Sequence, residues 1–141
     1  MPRRILIPVD ESPQARAAFH HASEAHSEDE LVLLHVIEYS ESLTSPERGG
    51  RKQAEGWYAK AQQDAEALFE ELRADIDHDG DIKTVIVDGS PSGEIIDYLD
   101  DHDIDQVVVG GRRRSPAGKA IFGSTAQQVT LSAPCPVTIV H

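Results

Sequence analysis

Two periodicities alternate along the chain. Short runs of consecutive apolar residues, the pattern of strands covered on both faces in a parallel sheet, recur at residues 4–9 (R-I-L-I-P-V), 31–36 (L-V-L-L-H-V), 82–87 (I-K-T-V-I-V), 106–109 (Q-V-V-V) and 137–140 (V-T-I-V). Between them, apolar residues return at helical spacing. A helix over 13–27 sets Ala15, Ala18, Phe19 and Ala22 on one face, and a longer one over about 51–77 places Trp57, Ala61, Ala65, Leu68, Phe69 and Leu72 in the core. A third runs from residue 90 to about 102 through Ile95, Ile96 and Leu99, and a fourth covers 123–131. Ser12-Pro13 and Ser90-Pro91 read as helix starts, with serine as N-cap and proline where a missing N–H is harmless. Residues 37–50, rich in Ser, Glu, Pro and Gly, read as a mobile loop, and His78-Asp79-Gly80-Asp81 as an exposed turn.

Strict alternation of strand and helix predicts an α/β fold: an open five-stranded parallel sheet with helices on both faces, three layers joined by right-handed crossovers. In that architecture ligands bind outside the carboxyl ends of the strands, where strand order reverses. The ends of the first and fourth strands, at Asp10 and Gly110, are the natural neighbours there.

At 141 residues the chain reads as one domain, large enough for a core without disulfides or metal. The lone Cys135, in A-P-C-P, reads as a small buried filler, and His35 as a packed or edge-facing histidine. No stretch has the length of a membrane span, and Met1-Pro2-Arg3-Arg4 leads directly into Ile5 without a signal-peptide core, so the expected location is cytoplasmic. Charge is unevenly placed. With nine basic and 25 acidic residues the first 105 positions carry −16, whereas the last 36, with four basic residues and no acidic one, carry +4. The acidic body argues against nucleic acid and anionic membranes as partners. It matches the composition of proteins from salt-loving organisms, in which dense carboxylates keep the surface hydrated.

The cationic end has a specific form. Residues 107–125, V-V-V-G-G-R-R-R-S-P-A-G-K-A-I-F-G-S-T, combine a buried strand, a glycine turn, a basic loop and a helix start. Free N–H groups at a helix start favour an anion, and Arg112, Arg113, Arg114 and Lys119 between the glycine corners can close over it. A P-loop is excluded, because Gly118-Lys119 lacks the first glycine and Ala120 stands where the hydroxyl belongs. A serine-hydrolase elbow is excluded by Pro91 in the nucleophile's place. A phosphoacceptor receiver would use Asp10, Glu11 and Asp88, but Gly110 replaces its hydroxyl after strand four and no lysine follows strand five. The seven histidines form no zinc-binding spacing.

The blocks I-L-I-P-V-D-E-S, L-L-H-V, D-G-S-P-S-G-E-I-I, the glycine-to-glycine loop and A-P-C-P-V together resemble the universal stress proteins of the UspA type over the whole chain. Nucleotide-binding members carry G-x2-G-x9-G-(S/T), which falls here on Gly110, Arg113 and Gly123-Ser124, with arginine replacing the middle glycine. The resemblance implies the adenine-nucleotide alpha-hydrolase-like fold with strand order 3-2-1-4-5, and ATP as ligand, with magnesium or manganese bridging its phosphates and Asp10 an outer-sphere partner. Pro8, Val9 and Asp10 would then line the adenine and ribose side, and Val36 would meet the adenine edge through its backbone. Gly110 would lie under the ribose and phosphates, Arg113 would turn outward or supply a charged contact, and Gly123, Ser124 and Thr125 would hold phosphates. It also implies a homodimer in which the fifth strands pair. No nucleophile or base is evident, so hydrolysis is slow at most. Arg113 in the glycine position supports the alternative, a stress protein that binds no nucleotide and works through dimerisation and protein partners.

Overall fold

The computed structural model describes residues 2–38, 50–111 and 123–141. The elements follow in the order β1 (Arg4–Pro8), α1 (Pro13–Ala25), β2 (Glu30–Ile37), α2 (Gly50–Ala74), β3 (Ile82–Asp88), α3 (Pro91–Asp101), β4 (Gln106–Gly110), α4 (Ser124–Ser132) and β5 (Val137–Val140). All pairings are parallel and the sheet order is β3-β2-β1-β4-β5, as the resemblance implied.

Strand alternation divides the core into two layers. Ile5, Ile7, Leu31, Leu33 and Val108 face Ala18, Phe19 and Ala22 of α1 and Leu68, Phe69 and Leu72 of α2. Leu6, Val32, Leu34, Val107 and Val109 face Ile95 and Leu99 of α3 and Ala126 and Val129 of α4. The three central strands are therefore buried on both sides, which explains their unbroken apolar runs.

Four local expectations need correction. Trp57 and Ala61 are half-buried, and α2 contributes core through Ala65, Leu68, Phe69 and Leu72. A helix of 25 residues is about 37 Å long while an eight-residue strand spans about 26 Å, so part of α2 has no sheet to cover. The helix stops at Ala74, before Asp75 and Asp77, whose carboxylates oppose the negative end of the helix dipole. Ser90 occupies the N-cap of α3 but makes no side-chain cap bond, whereas the Ser12 hydroxyl accepts from the Ala15 N–H at 3.1 Å. Finally, 78–81 is not simply an exposed turn. His78 Nε2 donates to the Asp29 carbonyl at 2.8 Å, and a Cβ at Gly80 would lie 2.3 Å from that oxygen.

The loop expected over 37–50 lies outside the described residues for 39–49. Among the described residues no helix is long and apolar enough to cross a membrane.

At the amino ends of the strands a polar lattice ties β1, β2 and β3 together. Glu30 bridges Arg4 Nε and Lys83 Nζ, each at 2.6 Å, and Asp29 accepts from the Arg3 N–H at 3.0 Å beside His26 at 3.1 Å. The Lys83 hydrogen bond, aided by Arg4 and opposed by partial burial, holds the Glu30 carboxyl below its usual range. The Arg3 amide, aided by His26 against burial, does the same for Asp29.

Candidate functional site

At the opposite, carboxyl end of the sheet the strands separate around a cavity of about 350 Å³, within the range of small-molecule sites. Its opening begins with Pro8. The β1–β4 ladder stops at Leu6↔Val107, and the next rung needs an N–H from residue 8, which proline lacks. On the other side β1 leaves β2 after Pro8↔Leu34, with one further bond from the Val9 N–H to the Leu34 carbonyl at 2.8 Å. The chain then turns at Asp10, whose carboxylate accepts the Ser12 N–H at 2.8 Å and fixes the entry into α1.

The far wall is the start of α4. Gly123 is its N-cap, at φ −60° and ψ 154°, and provides no side-chain cap. The first-turn N–H groups of Ser124, Thr125 and Ala126 thus lack the oxygen that Ser12 gives α1, and no acidic residue shares the turn. By contrast, α3 carries Glu94 in its first turn. Of these three helix starts, α4 is the one arranged to receive an outside anion.

The structure brings Pro8, Val9, Asp10, Val36, Gly110, Gly123, Ser124 and Thr125 to the wall of this one cavity. Arg113, with Arg112, Arg114 and Lys119, lies outside the described residues. Gly110 has a second reason to be glycine. A Cβ there would lie 2.5 Å from the backbone C and O of Gln14, so the close approach of α1 to β4 requires its absence.

The cavity also gathers residues that the sequence reading left out of the site, among them Gln14, His35, Glu38, Pro91 and Ile95. His35, expected as a packed or edge-facing histidine, is half-buried on the cavity wall, and its Nδ1 lies 2.9 Å from the Val9 carbonyl. Because a carbonyl only accepts, Nδ1 carries the hydrogen. The available signal was a lone polar residue near the carboxyl end of an otherwise apolar strand. Ile95 and Pro91 belong to α3, and nothing in their own spacing distinguishes cavity from core.

Among the described residues no three His, Cys, Asp or Glu side chains converge on a point that could hold a metal ion. Cys135 is half-buried against the α3–α4 core, and burial, with Asp105 adding to it, pushes its thiol up, away from thiolate chemistry.

The profile of the Universal stress protein family matches residues 1–141. The universal stress protein MJ0577 of Methanocaldococcus jannaschii is 27% identical over 154 residues, spanning 99% of this chain and 95% of that one. The solved structure of MJ0577 superposes with a TM-score of 0.80 at 26% identity, covering 99% of this chain and 96% of its own. That of UspA from Lactobacillus plantarum gives 0.71 at 29% identity, covering 99% and 97%. By its sequence over the full span and by a sheet order and helix layering shared with these adenine-nucleotide alpha-hydrolase-like folds, the chain belongs to the universal stress protein family.

Proposed function

We propose that this chain is an adenine-nucleotide-binding stress-response regulator that takes ATP as ligand and conformational signal. One observation carries the reading: the uncapped start of α4 lines the same cavity as Val36 and Asp10. An anion and a flat heterocycle joined by a sugar match those two walls. Gly123, Ser124 and Thr125 hold the phosphates, Pro8, Val9 and Asp10 line the adenine and ribose side, Val36 meets the base, and Gly110 lies beneath the ribose. Magnesium or manganese fits this donor set only through the phosphates, with Asp10 in an outer-sphere role, because among the described residues no group of acidic side chains could hold the ion by itself, and such ions commonly bind through phosphates and few side chains. Hydrolysis is slow at most.

Solved proteins of this fold include one in complex with cAMP (19% identical), an Arabidopsis thaliana protein with AMP bound (20%) and an Archaeoglobus fulgidus protein in complex with dAMP (19%). They support the choice of an adenine nucleotide over other anions.

The same reading makes the protein a cytoplasmic, single-domain homodimer of a salt-loving cell, paired through β5. The formal charge of −12 supports a surface built for high salt. The edge position of β5 in the sheet supports strand pairing between copies. A second reading rests on Arg113 in place of the motif's middle glycine: a dimeric stress protein without nucleotide, acting on protein partners.

Calorimetric titration with ATP and magnesium at high salt separates the two. Binding is expected, and Gly123→Val is expected to abolish it with the fold retained, because the φ and ψ of Gly123 suit any residue. Unchanged affinity in Gly123→Val removes the phosphate assignment, and no binding to the wild type at millimolar ATP selects the second reading.

A further inference from the structure

In β2 the even-numbered residues turn their backbone groups toward β1 and the odd-numbered toward β3. The bonds Glu30 N–H to Arg3 O at 2.9 Å, Val9 N–H to Leu34 O at 2.8 Å and Gly89 N–H to Ile37 O at 3.0 Å establish this phase. The Val36 N–H therefore points toward β1. Continuing the ladder by one rung would join it to the Val9 carbonyl, pairing Val9 with His35. That rung is absent, since the register ends at Pro8↔Leu34. The Val9 carbonyl instead accepts from His35 Nδ1 at 2.9 Å.

We propose that His35 is a positioning residue whose imidazole takes the Val9 carbonyl and so keeps the Val36 amide open to the base of a bound nucleotide. This rests on the adenine-nucleotide reading and specifies how the site selects its base. A buried carbonyl needs a donor. If the side chain at position 35 supplies it, the main chain of Val36 is free to offer an N–H and a C=O side by side. That pair complements the edge of adenine, which presents an acceptor ring nitrogen beside an amino group. Hypoxanthine presents the reverse, a ring N–H beside a carbonyl, and is disfavoured. Without the imidazole, the nearest donor for Val9 is Val36 itself, and the ladder closes.

The test compares wild type, His35→Leu and His35→Asn, since the asparagine amide can donate from nearly the position of Nδ1. Amide hydrogen exchange followed by NMR, without nucleotide, is expected to show Val36 exchanging far faster than Leu34 in wild type and His35→Asn, and protected in His35→Leu. Calorimetry with ATP and inosine triphosphate is expected to show ATP binding weakened about tenfold in His35→Leu, its preference over inosine triphosphate narrowed, and both restored to within about threefold in His35→Asn. A nucleotide-binding wild type whose Val36 amide is as protected as Leu34 overturns the role of His35 alone. An open Val36 amide in a protein that binds no adenine nucleotide overturns the nucleotide reading and, with it, the ligand half of this inference.

Discussion

Gly110 shows how one position can have to be glycine for a reason that lies in another element. The family resemblance implies a glycine beneath a nucleotide here, and independently of any ligand its missing Cβ is demanded by the Gln14 backbone, 2.5 Å from where that atom would sit. Gly110→Ala is accordingly expected to destabilise the fold by about 1–3 kcal/mol, the usual range for overpacking, by displacing the start of α1. Urea unfolding measures this, and a midpoint equal to wild type would mean that α1 yields without strain. His35 is the complementary case. Its identity is plain in the sequence, but its role depends on a carbonyl 26 positions away, and no local pattern joins them.

Element boundaries follow from a few residues with identifiable chemistry. Proline at position 8 ends one ladder because it has no N–H to give, and the crevice begins there. The two Ser-Pro helix starts look alike in sequence and differ in structure, since only Ser12 makes its cap bond. Ser12→Ala should therefore lose about 1 kcal/mol. Ser90→Ala should stay within about 0.5 kcal/mol of wild type, because Glu94 already supplies negative charge in the first turn of α3. Equal losses in denaturant unfolding would show that the helix starts are capped alike in solution. The α4 start has neither the side-chain cap of α1 nor the first-turn acid of α3, which is why the proposed phosphate site is put there.

For the whole molecule, the two ends of the sheet do different work. The amino end is locked by Asp29 and Glu30, whose carboxyls are held below their usual range by Arg3, His26, Lys83 and Arg4. A carboxyl with a depressed folded pKa contributes stability above its unfolded pKa and loses it as pH falls through the folded one, so this contribution fades below about pH 4–5. Glu30→Gln should lower stability at pH 7 and flatten its loss toward pH 3. An unchanged acid slope would place the sensitivity in other carboxylates. At the sheet edge, the carbonyls of Pro136 and Val140 face β4, so the intervening Ile139 N–H points outward. Ile139→Pro should then remove a bond across a β5 dimer while keeping the β4–β5 ladder, giving monomers by sedimentation. A dimer that persists would put the interface elsewhere.

The alternation of strands and helices, the parallel sheet, the bury-both-faces character of β1, β2 and β4 and the glycine-serine helix start were determined by the sequence, because periodicity and cap chemistry act over neighbouring residues. The cavity residues named in advance came from the family resemblance, and of them only Gly110, Gly123 and Ser124 also stand on its spaced motif. Tertiary structure decided the rest. It set how much of α2 finds a sheet to cover and that Gly80 and His78 pack on Asp29. It also put Ile95 and Pro91 in a cavity wall and made the His35 side chain stand in for a rung between β1 and β2. Each of these depends on what another element presents at a given depth and register. Hydrophobic pattern records whether a residue is buried, but it does not record against which partner.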